Sequence, residues 1–285
     1  MNLALEQLGV VQPKRTIVDD LIDQINLTET EDALLDSLEE VDMLLHTCRS
    51  LESIHQAIKQ YGVTQSIAYL YGENFSSMEN DQTDGAEKEV DEKKQGVLRR
   101  VWEAIKNLIK KFIEWLGGLF TSVKSIKSKL TEAQKKTNNC NYPFSVVVLS
   151  LRTMDSVTTY MERLSGAIIM GATKDSTDQN FAAIRKDLES DLNSSNEAKV
   201  TSAQIAANAC ENHVYFFDTL DDLKKGFEKA LSQVSKNASI AKEFGIDLGG
   251  TVSQYKDSIA LCKDIIKANI TSSRNLIAAI NKAQK

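Results

Sequence analysis

Residues 98–120 read Leu98-Arg99-Arg100-Val101-Trp102-Glu103-Ala104-Ile105-Lys106-Asn107-Leu108-Ile109-Lys110-Lys111-Phe112-Ile113-Glu114-Trp115-Leu116-Gly117-Gly118-Leu119-Phe120, and the pattern continues through Val123 and Ile126 to Leu130. Apolar side chains recur every three or four positions, with Arg99, Arg100, Lys106, Asn107, Lys110 and Lys111 between them. At 3.6 residues per turn this spacing gathers Trp, Phe, Leu and Ile on one face and cations on the other. Residues 98–116 alone extend about 28 Å as a helix. Glu103 and Glu114 are the acidic exceptions on the polar side, and Gly117-Gly118 is a candidate hinge or end to the first part.

Working outward, the same period recurs on both sides. Towards the N-terminus, Thr28 or Thr30 is a candidate cap for a long helix carrying Leu34, Leu38, Val41, Leu45, Cys48, Leu51, Ile54 and Ile58 and ending near Gly62. A short helical stretch is expected at Ser66 to Tyr71. From Glu73 to Gly96 the chain is highly charged and almost free of aromatics, a composition that reads as a linker. Towards the C-terminus, Pro143 suits the first turn of a helix running through Val147 to Ile168, although its Val-rich start also suits a strand. Further helices are expected from Thr177 or Asp178, from Ser202 to Phe217, from Asp218 or Thr219 to Val234, and from Gly249-Gly250 to Ile280.

Composition agrees with this pattern. Of 285 residues only 2 are Pro and 13 Gly, 6% are aromatic and 26% charged, which leaves few turns for a sandwich or barrel. The expected fold is mainly α, a multi-helix bundle with long amphipathic helices and no substantial sheet. Its segments are an acidic helical stretch over 1–72, a charged flexible linker over 73–97, a basic amphipathic helix over 98–136 and a helical bundle over 137–285. The net charge of −6 conceals their asymmetry: −13 over residues 1–97, +7 over 98–136, and zero over 137–285.

Chemistry is hard to find. His46, His55 and His213 form no zinc motif, and no nucleophile elbow, phosphate loop, dinucleotide fingerprint or EF-hand occurs. Gly245-Ile246-Asp247-Leu248-Gly249-Gly250 follows no strand and reads as a turn between helices. Cys48, Cys140, Cys210 and Cys262 are too far apart for a metal knuckle and read as reduced, mostly buried thiols. No catalytic residue, metal or cofactor is expected. The opening Met1-Asn2-Leu3-Ala4-Leu5-Glu6 lacks the features of a secretory signal, and no apolar run approaches the roughly 20 residues of a membrane span.

What remains is the amphipathic segment. Its apolar side, Trp102, Ile105, Ile109, Phe112, Leu116 and Phe120, can pack into the protein's own core, lie in a membrane interface over 98–120, or fill a partner's groove. Its cations, Arg99, Arg100, Lys106, Lys110 and Lys111, are candidate contacts to DNA phosphates or lipid headgroups. No aromatic RNA-binding box or helix-turn-helix accompanies them, so contact with bases is not expected.

The layout of acidic helical segment, charged linker and Trp/Lys/Phe helix resembles the internal head proteins of large tailed bacteriophages. That resemblance implies a non-enzymatic virion protein, made in the host cytoplasm, packaged beside DNA with other virion proteins, and in some cases trimmed by a head protease or ejected with the genome. Ser77-Met78-Glu79 matches the small-residue, any-residue, Glu pattern of such a protease, which implies processing after Glu79. Removing the acidic leader would leave a product of positive charge. Two other readings stand beside it: a membrane-active bundle acting through 98–120, and a cytoplasmic helical adaptor.

Overall fold

The computed structural model describes residues 17–62, 83–170, 181–193, 195–237 and 248–284. Its helices are α1 (Ile17–Tyr61), α2 (Thr83–Lys136), α3 (Leu151–Met170), α4 (Phe181–Asp191), α5 (Ala203–Asn237) and α6 (Leu248–Ala283). A short 3-10 turn, Thr137–Asn139, follows α2. Strands β1 (Phe144–Val146) and β2 (Ala198–Val200) form a two-stranded antiparallel ribbon in which Phe144 faces Val200 and Val146 faces Ala198. The chain is therefore mainly α, as its composition predicts.

α2 is the central helix and packs against α1, α5 and α6. Cross-helix contacts give the directions. Lys94 pairs with Glu52 at 3.2 Å and Asp91 approaches His55 at 2.8 Å, so α1 and α2 run antiparallel. The Trp102 indole N–H donates to the Val234 carbonyl at 3.1 Å, Phe112 meets Phe227 edge-on at 4.7 Å, and Lys127 pairs with Asp218. Rising numbers on α2 thus meet falling numbers on α5, which is also antiparallel. The end of α2 lies beside the end of α6, where Lys136 donates to Asn281 at 3.3 Å and Cys140 bridges to Gln284. α3 crosses α6 antiparallel, with Met154 beside Asn269 and Met161 beside Cys262.

Among the described residues one apolar core joins these six helices. α1 ends where expected: Gly62 takes a φ of +71°, which an L side chain rarely adopts, and its N–H closes onto the Ile58 carbonyl at 2.8 Å. Ser202 caps α5, accepting from the Ile205 N–H at 3.3 Å.

Several expectations need correction. α1 begins at Ile17, so Thr28 and Thr30 lie inside it rather than at its cap. The expected linker over 73–97 is helical from Thr83, because this stretch has a neighbour: Val90 is fully buried, and Asp91 and Lys94 reach side chains of α1. Glu and Lys are good helix formers once packing supplies the nucleus. Gly117-Gly118 neither hinges nor ends α2. Pro143 follows a cis peptide bond and leads into β1, and α3 starts only at Leu151. No boundary falls at Asp218 or Thr219, since Asp218 turns outward to Lys127 and Thr219 bonds back to the Phe216 carbonyl at 2.7 Å within one continuous α5. The helical stretch expected at Ser66 to Tyr71 and the helix openings at Thr177 or Asp178 lie outside the described residues.

Candidate functional site

The two faces of α2 have separate fates. Ile105, Ile109 and Phe112 are fully buried, Leu116 and Trp102 nearly so, and Phe120 is half-buried against the core with the Lys224 ammonium 5.4 Å from its ring centre. Phe112 stacks on Trp115 at 5.8 Å and meets Phe227. The candidate docking face for lipid or a partner is thus the middle of the protein's own core. Burying these side chains against α1, α5 and α6 removes apolar area from water, which is the larger reward available to them.

The polar face stays outside. Arg99, Arg100 and Lys110 are exposed, while Lys106 and Lys111 are half-buried along their stems. Lys106 pairs with Glu103 at 2.8 Å, Lys111 with Glu114 at 3.2 Å and Lys110 with Glu114 at 4.0 Å, all within one turn of the helix. Exposed pairs of this kind are worth roughly 0.3–0.5 kcal/mol and yield readily to a competing anion. Arg99 and Arg100 have no ion-pair partner among the described residues. The same holds for Lys124, Lys129 and Lys135, which extend the outward face beyond the five candidate cations. Their signal in the sequence is the +7 charge of residues 98–136, which apolar periodicity does not resolve into positions. From Arg99 to Lys136 the face runs for about 55 Å at 1.5 Å per residue. The candidate processing site, Glu79, lies outside the described residues.

A second polar constellation was invisible in the sequence. His213 of α5 donates from Nδ1 to Asn269 Oδ1 of α6 at 2.9 Å, and its Nε2 accepts the Ser272 hydroxyl at 3.0 Å. Asn269 Oδ1 cannot donate, which fixes this tautomer. Ser272 Oγ also accepts the Leu149 N–H at 2.9 Å, and the Asn269 amide donates to the Met154 thioether at 3.3 Å. Burial pulls the His213 imidazole down to about 4, against the upward pull of its hydrogen bond to Asn269. Ser, His and Asn in this order have the types of a nucleophilic relay, but the hydroxyl is fully buried and already engaged on both sides. The arrangement ties α5, α6 and the start of α3 together. Because 56 and 59 positions separate its members, no local spacing could reveal it.

The four thiols are free and buried. Burial pushes Cys210 up to about 12 and raises Cys262 and Cys48 as well, which removes thiolate character from all three. Among the described residues no cluster of His, Cys, Asp or Glu is arranged to hold a metal ion, and no helix is long and apolar enough to cross a membrane. A cavity of about 480 Å³ lies between α4 and α6, lined by Arg185, Leu188, Glu189, Lys263 and Lys267 among others. Its charges are internally balanced: Arg185 pairs with Asp264 at 3.2 Å and Lys267 with Glu31 of α1 at 2.6 Å.

The extended cationic face of α2 is accordingly the strongest candidate for an interaction with another molecule. Comparison of the chain with protein-family models, with curated proteins and with solved structures finds no match.

Proposed function

We propose that this protein is a non-enzymatic structural component of a phage virion, packaged inside the head, where the outward face of α2 rests on the phosphates of DNA. The observation that carries this reading is the division of labour on α2: its aromatic face is consumed in the core, while Arg99, Arg100, Lys110, Lys124, Lys129 and Lys135 are left unburied along one helix. Arg99, Lys110, Lys124 and Lys135, spaced by 11, 14 and 11 positions, return to one line of the helix, a row about 54 Å long that spans roughly 16 base pairs at 3.4 Å each, with Arg100 and Lys129 on the flank. Contact of that kind is with the backbone and carries no sequence information.

The same division weighs against the two other readings. Insertion of 98–120 into a membrane interface, or into a partner's groove, requires Trp102, Ile105, Ile109, Phe112 and Leu116 to leave the core. At about 2 kcal/mol for each buried large apolar side chain, the cost is on the order of 10 kcal/mol. That is comparable with the whole stability of a domain.

The test is binding of the full chain to duplex DNA of unrelated sequences across a salt series. With about five cations on phosphates, affinity falls roughly 500-fold between about 50 and about 200 mM salt and does not depend on sequence. Replacing Arg99, Arg100, Lys110 and Lys129 by Glu abolishes binding while leaving the helical circular dichroism signal intact. Affinity that ignores salt, or that survives the four replacements, overturns the proposal.

A further inference from the structure

Three lysines of α6 stand in one line, Lys256, Lys263 and Lys267, because spacings of seven and four bring side chains back to the same side of a helix. Each of the three meets a carboxylate of a neighbouring helix. Lys256 Nζ lies 2.6 Å from Asp42 Oδ1, Lys267 Nζ 2.6 Å from Glu31 Oε1, and Lys263 Nζ 4.0 Å from that same Glu31 oxygen. Both acids belong to α1. The Lys256 and Lys263 side chains are only 19% and 15% exposed, so α1 takes them out of solution. The falling order on α1 against the rising order on α6 makes this an antiparallel strap, with one carboxylate at either end of the row.

α1 is suited to that role by charge and by attachment. Residues 17–61 hold eleven Asp or Glu and two Lys or Arg. Of residues 28–61, seven of 34 are buried, whereas fifteen of 32 are buried over 252–283. Leu34, Val41, Leu44, Leu45 and Ile58 nevertheless anchor α1 in the core, so its body stays docked and its acidic edge is the part that yields. Beyond the strap, Lys263 and Lys267 also line the groove between α4 and α6, where Arg185 and Thr271 stand. With Glu31 withdrawn, that groove gains uncompensated positive charge.

We infer that the acidic edge of α1 is an autoinhibitory strap, in which Glu31 and Asp42 occupy a second phosphate-binding row, Lys256, Lys263 and Lys267, until a competing anion displaces the two carboxylates. The inference rests on the proposed DNA contact of α2 and adds its regulation. In the strapped state only the α2 face meets phosphate, and release of the two carboxylates adds the lysine row of α6.

The experiment is salt-titrated binding of the full chain to duplex DNA, comparing Glu31→Gln/Asp42→Asn with Asp36→Asn/Glu39→Gln. The second pair is exposed on the same helix and removes the same charge. The first variant is expected to bind about tenfold tighter than the control and to show a salt dependence steeper by two to three, since each added phosphate contact contributes about 0.9 to the slope. Adding Lys256→Gln, Lys263→Gln and Lys267→Gln to the first variant is expected to cancel that gain. Equal binding by the two variants, or a gain that survives loss of the three lysines, overturns the strap and leaves the α2 contact standing. Absence of DNA binding by every protein, the first variant included, overturns both.

Discussion

The seam between α2 and α5 and the seam between α1 and α6 are both antiparallel helix contacts, yet they are built from different materials. The first is dry and aromatic along most of its length: Trp102, Phe112 and Phe227 fill it, the indole hydrogen bond fixes the register, and one ion pair, Lys127 with Asp218, lies at its far end. The second places Asp42 and Glu31 against Lys256, Lys263 and Lys267 at its edge. Apolar burial is not screened by salt, whereas partly exposed ion pairs are weak and screened. The difference separates a joint that salt leaves intact from one whose ionic edge salt loosens.

The largest effect should come from breaking the dry seam. Phe112→Ala removes a fully buried ring that touches Trp115 and Phe227, and is expected to cost about 3–5 kcal/mol in urea unfolding. Its effect should be the same at low and high salt. A loss under 1 kcal/mol would mean that α2 is not the central joint.

A buried polar joint between α5 and α6 lies between these extremes, and pH reveals it. His213 is held neutral, its pKa lowered to about 4 from an ordinary value near 6.5. The unfolded chain therefore binds the proton first. This contribution to stability is complete above about pH 6.5 and is lost as pH falls towards 4, for a total of roughly 3 kcal/mol. His213→Gln should flatten that part of the urea-midpoint profile relative to the parent protein. An unchanged slope between pH 6.5 and 4 would contradict a neutral, buried His213.

The smallest effect sharpens the comparison from the other side. Glu31→Gln is expected to lower global stability by less than about 1 kcal/mol, because Lys267 is half-exposed and remains hydrated. Hydrogen exchange should nevertheless accelerate selectively in α1, and high salt should produce the same acceleration in the parent protein. Uniform exchange across α1 and α2 would show that the two seams open together.

Much of the fold was legible because it is periodic. Every large apolar residue expected on the inner face of residues 98–130 is buried or half-buried, and the stripes of α1 and α6 point inward as their spacing requires. Where the reading failed, a distant partner was responsible. Residues 83–97 look unable to order themselves, but α1 supplies the surface that orders them. Phe144–Val146 forms a strand because Ala198–Val200 arrives 54 positions later. Asp218 and Thr219 look like a helix start, yet their polar groups are satisfied by Lys127 and by the Phe216 carbonyl, so α5 continues. The candidate cations were visible in the sequence, and the buried Ser272–His213–Asn269 chain was not.

The sequence by itself determined the mainly helical class, the inward face of each long helix and the excess of positive charge over 98–136, since all three follow from local spacing and composition. Only the tertiary structure decided what each face meets. It committed the aromatic side of α2 to the core, left its cations outside, and set the acids of α1 on the lysines of α6. Those outcomes depend on contacts between residues far apart in the chain, whose energies are comparable with one another until the whole bundle closes and selects among them.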